Sequence, residues 1–218
     1  MAEKMTDRKE RAALITARLK EQYPVARCTL DYEHAWQLMV AVRLAAQCTD
    51  ARVDLVTPVL FGKFPTAKAL AEAPFEEIHE IVRPCGLGAT KARDIKAAMT
   101  KLVDEYGGIV PDDLDALLTF PGVGRKSANL IVGDIYGKPA VVCDTHCIRI
   151  NGLLGLTDSK DPAVVEKQLR ELLDPAESND YCHRMVLHGR AVCIARRPKC
   201  NECCVKDLCE HFLTLETK

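Results

Sequence analysis

The sequence predicts an all-α fold. Apolar residues recur at helical spacing through most of the chain, Pro, Gly and Asp breaks cut it into short stretches, and strand-like alternation is nearly absent. The first helix falls between Asp7 and Gln22, where Ala12, Ile15 and Leu19 share a face. Trp36, Met39, Val40 and Leu44 mark the second, and Leu55, Val56, Val59 and Leu60 the third. Breaks follow at Gly62, Pro74, Gly86 to Gly88, Gly107-Gly108 and Pro111. A helix then starts near Pro111-Asp112 and ends at Phe120, and another runs over 125–136 with Ala128, Ile131, Val132 and Ile135 on one face. Gly137-Lys138-Pro139 is the best internal seam. Beyond it come helical stretches over 144–154, 161–173 and 179–189, then a cysteine-rich tail. Ala140-Val141-Val142-Cys143 is the single short strand candidate.

Composition narrows the class. A chain of 218 residues with 48% hydrophobic and 28% charged residues can bury a substantial core. It contains no apolar run of membrane-spanning length. The stretch 1–11 is charged and lacks a signal-peptide apolar segment, so the expected location is cytoplasmic. Net charge is −1, so any nucleic-acid contact must use local positive charge. Between Tyr181 and Asn201 there is no Asp or Glu, and Arg184, Arg190, Arg196, Arg197 and Lys199 lie within it. A second basic stretch holds Lys91, Arg93 and Lys96, interrupted by Asp94. Either could simply be a solvated helix face.

The stretch Phe120-Pro121-Gly122-Val123-Gly124-Arg125-Lys126-Ser127-Ala128 is the most informative. Glycine permits a left-handed backbone and lets another chain approach closely. This turn opens a helix, where amides lack partners and the dipole end is positive, a natural seat for phosphate. Two glycines alone would fit an ordinary turn between helices. The whole pattern is that of a helix–hairpin–helix, a sequence-neutral grip on a DNA strand through Gly122, Val123 and Gly124.

Lys126 occupies the first turn of the second hairpin helix. The positive helix end, with partial burial, disfavours a protonated ammonium there. A free lysine amine is a nucleophile that forms Schiff bases with carbonyl carbons. The plainer alternative is a lysine that contacts phosphate. Asp144 comes eighteen residues later, just ahead of a helix. An N-cap is its simplest role, and a carboxylate there could also stabilise a sugar cation or handle protons. His146 is expected to be a structural hydrogen-bonder.

Eleven cysteines is a high and odd number, and five fall between Cys193 and Cys209. The spacing Cys193-x6-Cys200-x2-Cys203-x5-Cys209 suits a metal–sulfur site; irregular loops favour a [4Fe–4S] cube, and zinc also remains compatible. Cys204 is the spare, and Cys28, Cys48, Cys85, Cys143, Cys147 and Cys182 read as small core residues. Thiolate ligands would pin the loop carrying Arg196, Arg197 and Lys199.

These motifs, with Leu44-Ala45-Ala46-Gln47-Cys48-Thr49-Asp50, Val142-Cys143-Asp144-Thr145-His146 and Leu187-His188-Gly189-Arg190, resemble the endonuclease III family of helix–hairpin–helix DNA glycosylase/AP lyases. Ser127 stands where threonine is common in that family. The resemblance implies two helical domains flanking a DNA-binding cleft. One would be a six-helix domain over 28–138, the other residues 1–27 plus 139–218 with a C-terminal [4Fe–4S] cluster loop on Cys193, Cys200, Cys203 and Cys209. It implies a monomer that excises oxidised or damaged pyrimidines from double-stranded DNA and cleaves abasic sites, nucleoid-associated while doing so. Lys126 would attack C1′ of a flipped nucleotide with help from Asp144, and β-elimination would follow. Gln47 and Leu87 match positions that fill the gap in the duplex, and Arg190 joins the DNA contacts. A mismatch adenine glycosylase would share cluster and hairpin but lack lysine at 126. A DNA- or iron–sulfur-binding module without enzymatic activity would need no Lys126–Asp144 pair.

Overall fold

A computed structural model describes residues 5–216; positions 1–4 of the charged leader considered above, and 217–218, lie outside the described residues. Every regular element among the described residues is helical. The chain divides into two compact units, a central one over Cys28–Tyr136 and a terminal one made of Met1–Arg27 with Gly137–Lys218.

The central unit holds α2 (Ala35–Ala45), α3 (Asp50–Lys63), α4 (Ala67–Glu72), α5 (Phe75–Val82), α6 (Gly88–Tyr106), α7 (Leu114–Leu118) and α8 (Arg125–Tyr136). That is seven α-helices, α4 and α7 being the short ones at six and five residues. α7 is also shorter than the stretch expected from Pro111 to Phe120. It starts where Asp113 accepts a hydrogen bond from Ala116 N–H at 2.8 Å, and Thr66 caps α4 in the same way. α6 forms the spine, packed by α2, α4 and α5, while α2 also meets α3 and α8. Ile95, Met99 and Leu102 of α6 are buried among Leu38, Met39, Leu44, Leu70 and Ile78. Each such side chain contributes about 1.5–3 kcal/mol. α3 is rotated from the face its sequence suggested: Val53, Val56, Thr57 and Leu60 are buried, while Leu55 and Val59 are 70% and 58% exposed. The face 53, 56, 57, 60 follows helical spacing equally well and uses a threonine whose hydroxyl bonds back to Val53 O.

The terminal unit holds α1 (Met5–Gln22), α9 (Thr145–Leu154), α10 (Pro162–Leu172), α11 (Ser178–Ala191) and α12 (Glu210–Glu216). α1 packs on α10 and α11 through Ala12, Ile15 and Leu19, and α9 packs on α11 and α12. The strand candidate at 140–143 is buried and forms no strand or bridge. Val142 N–H bonds the Cys182 sulfur at 3.2 Å in place of a ladder partner, and no strand lies among the described residues to pair with it.

Several charged residues expected at the surface are internal. Arg184 is 1% exposed, held by Glu177 at 2.9 Å, Asp180 at 3.0 Å and Tyr23 O. It therefore ties α11 to the end of α1 and leaves the basic surface of that stretch to its neighbours. Lys91 is fully buried and Lys96 donates to Ala71 O and Ala73 O. Orphan carbonyls at helix ends bind these two ammonium groups, so of the second basic stretch only Arg93 is exposed. Among the cysteines expected in the core, Cys85, Cys143, Cys147 and Cys182 are buried, whereas Cys28 and Cys48 are only half-buried.

Candidate nucleic-acid interface and cysteine cluster

The hairpin is built by α7, the turn 119–124 and α8. Phe120 N–H bonds Leu117 O and Val123 N–H bonds Phe120 O, closing the turn at 3.1 Å each. Gly122 has φ +76°, and a Cβ there would lie 2.6 Å from Arg43 Cδ and 3.0 Å from Asp94 Cβ. Glycine is thus required both for backbone sign and for space. Arg43 and Asp94 form a mostly buried ion pair between α2 and α6, with Nη2 to Oδ2 at 2.6 Å. The turn rests on that pair. Sequence reasoning missed this support; its one trace was the acidic residue interrupting Lys91, Arg93 and Lys96. Gly122 and Gly124 are exposed and Val123 half-buried. The first bond inside α8 runs from Ala128 N–H to Gly124 O at 2.9 Å. Amides ahead of such a bond have no acceptor within their own helix. Lys126 lies in that first turn and is exposed rather than half-buried as expected, because Ala128, Asn129 and Ile131 occupy the core face of α8.

Gln47 and Leu87 share an unusual backbone. They are the non-glycine residues with positive φ among the described residues, at +55° and +50°. Such conformations cost of order 1–3 kcal/mol and persist where the surroundings enforce them. Both side chains are exposed, Leu87 by 56%. Lys91 reaches between their loops, donating to Leu44 O at 2.7 Å and Cys85 O at 2.8 Å. Burial pulls its pKa below the ordinary lysine value.

Asp144 stands in the terminal unit as the N-cap of α9. Its Oδ1 accepts from Cys147 N–H at 2.7 Å, which leaves Oδ2 without a hydrogen bond among the described residues. The expected cap is present, and one carboxylate oxygen stays available. His146 does not make the structural hydrogen bond expected of it at Nδ1, which is buried without a partner. The ring packs instead against the backbone of α11, where a Cβ on Gly189 would come within 2.3 Å of it.

Cys193, Cys200, Cys203 and Cys209 line one cavity, walled also by Ile150 and Leu154; Cys204 does not line it. Arg149 holds the first cysteine, donating to Cys193 O at 2.7 Å and reaching its sulfur at 3.5 Å. His188 lies 3.4 Å from the Cys203 sulfur and 3.2 Å from Tyr23 OH. Burial pushes the Cys203 thiol up to about 11 and the Cys209 thiol up as well. Burial thus favours the neutral thiol at both positions. No three His, Cys, Asp or Glu side chains among the described residues converge as ligands of a single ion do. The loop between the first two cysteines is clipped by Lys199 N–H to Val192 O at 2.9 Å. Arg196 and Arg197 are exposed on it, as is Arg190 at the end of α11, while Lys199 lies 4.0 Å from Glu202.

Residues 40–175 match the pattern of the HhH-GPD superfamily base excision DNA repair proteins. The chain is also similar to endonuclease III of Synechocystis sp., 44% identical over 94% of both chains. The chain belongs to the endonuclease III family. Solved structures agree with the family assignment. A non-covalent endonuclease III–DNA complex superposes with TM-score 0.89 at 37% identity, covering 96% of this chain and 99% of the other. A trapped endonuclease III–DNA covalent intermediate gives the same TM-score and identity over 95% and 98%. Membership in the endonuclease III family accounts for the hairpin and for an all-helical chain. None of the helices among the described residues is long and apolar enough to cross a membrane.

Proposed function

We propose that in this endonuclease III family member, a base excision repair glycosylase and AP lyase acting on DNA, Lys126 is the nucleophile and Asp144 its assisting carboxylate. The observation that carries the assignment is an exposed amine in the first turn of α8, directly behind the glycine turn. The hairpin turn 122–124 holds a phosphate through the amides of Gly122 and Gly124, while Val123, whose N–H closes the turn on Phe120 O, lies against the bound strand. Lys126 Nζ then bonds C1′ of an extruded nucleotide as the glycosidic bond breaks and the base leaves with its electron pair. Asp144, through the oxygen its cap does not use, stabilises the positive charge that develops on the sugar. The sugar opens to a Schiff base, loss of a C2′ proton breaks the C3′–O bond, and the strand is cut 3′ to the site. Substrates are oxidised or damaged pyrimidines and abasic sites in double-stranded DNA, met in the cytoplasm at the nucleoid. Gln47 and Leu87, exposed on left-handed loop tips, fill the gap left in the duplex. Arg190, Arg196, Arg197 and Lys199 contact the phosphate backbone.

Cys193, Cys200, Cys203 and Cys209 would hold a [4Fe–4S] cluster. The four cysteines line one cavity, and four thiolates are the donor set such a cluster would take. The cluster would supply structural order, and Cys193 and Cys200 as its ligands would fix the basic loop between them.

Borohydride added during reaction with thymine-glycol or abasic duplex should trap a covalent complex. Lys126→Gln should abolish trapping and strand cleavage while duplex affinity stays within about threefold. Full lyase activity in that variant would remove Lys126 from the role of nucleophile.

A further inference from the structure

We infer that Lys91 is a positioning residue for the lesion-recognising loops, its buried ammonium anchoring the loop of Gln47 and the loop of Leu87 to one point. The inference rests on the gap-filling reading of Gln47 and Leu87 given above. Lys91 is fully buried on α6. Its two acceptors are main-chain carbonyls at the ends of separate elements. Leu44 lies in the last turn of α2, and Cys85 closes the short 3-10 turn Arg83–Cys85. Both carbonyls fall where a helix-like segment runs out of N–H partners, so each has an open acceptor site.

The two loops leave from these carbonyls. Gln47 follows Leu44 by three residues, and Leu87 follows Cys85 by two. Lys91 also bonds Leu87 through its own main chain, N–H to O at 3.0 Å. The Leu87 loop is close-packed on its far side, where a Cβ on Gly88 would lie 2.9 Å from Arg83 Cα. One residue therefore touches the root of both segments whose backbones are left-handed without being glycine. Strained conformations need such enforcement, and a fixed separation between two inserting side chains is what a duplex gap of fixed width demands. An ammonium on a flexible four-carbon stem can reach both carbonyls from inside the core.

The test compares Lys91→Met with wild type for affinity to a duplex carrying a reduced abasic site and to the same duplex undamaged. The expected result is a fall of about tenfold in the ratio of the two affinities, with undamaged-duplex binding within about twofold and the far-ultraviolet circular dichroism retained. A general loss of structure would weaken both affinities together. An unchanged ratio in folded Lys91→Met overturns the inference. If that variant does not fold, Lys91→Gln, whose amide still serves one carbonyl, is judged by the same ratio. A Gln47→Ala, Leu87→Ala double variant tests the underlying reading separately. If it lowers the ratio and the Lys91 variant does not, only the anchoring role fails. If it leaves the ratio unchanged, the gap-filling reading and the anchoring role fall together.

Discussion

At the scale of single residues, Asp144 serves two demands with two oxygens. Oδ1 caps α9, and Oδ2 is left over for chemistry. The two roles can be separated because asparagine caps a helix about as well as aspartate. Asp144→Asn should leave the melting temperature nearly unchanged while slowing base removal by on the order of 100-fold or more, as loss of a charge-stabilising group does. Asp144→Ala should also cost about 1 kcal/mol of stability from the lost cap. Thermal melts paired with single-turnover excision would check both. A wild-type excision rate in Asp144→Asn would confine the residue to capping.

At the scale of the element, the hairpin shows why its two glycines are not equivalent. Gly122 has a left-handed φ and no room for a Cβ against Arg43 and Asp94, whereas Gly124 has neither constraint, with nothing within 4 Å of the place a methyl group would occupy. Gly122→Ala should destabilise the central unit by about 1–3 kcal/mol through backbone strain and displacement of the ion pair. Gly124→Ala should melt like wild type yet bind DNA more weakly, because the space it fills is the approach path of a phosphate. Equal melting of the two variants would contradict the difference in their surroundings. Unchanged DNA affinity in Gly124→Ala would place the phosphate elsewhere.

At the scale of the whole molecule, the tail after α11 has few means of ordering itself. It contains two short 3-10 turns and α12, and few of its residues are buried, Val205 among them. A metal–sulfur group bound by four thiolates would supply what apolar burial does not. Purified protein should be brown with about four iron atoms per chain. Cys209→Ser should lose most of that colour and expose the basic loop to limited proteolysis, with DNA affinity falling alongside. Colourless wild-type protein carrying one zinc would replace the iron–sulfur assignment.

The sequence by itself determined the helical class, the hairpin, the cap at Asp144 and the grouping of four cysteines. Each is a local matter of spacing, glycine freedom or side-chain chemistry within a few turns of chain. Tertiary structure alone decided which face of α3 is buried and which basic residues are internal. Lys91 and Arg184 look like surface charges in a linear reading. The remote partners that pull them inside are main-chain carbonyls, Leu44 O for Lys91 and Tyr23 O for Arg184, whereas the carboxylates that hold Arg184, Glu177 and Asp180, are its near neighbours in sequence. The left-handed backbones at Gln47 and Leu87 were equally invisible, since neither residue type favours them. Local propensity does not encode strain; packing imposes it.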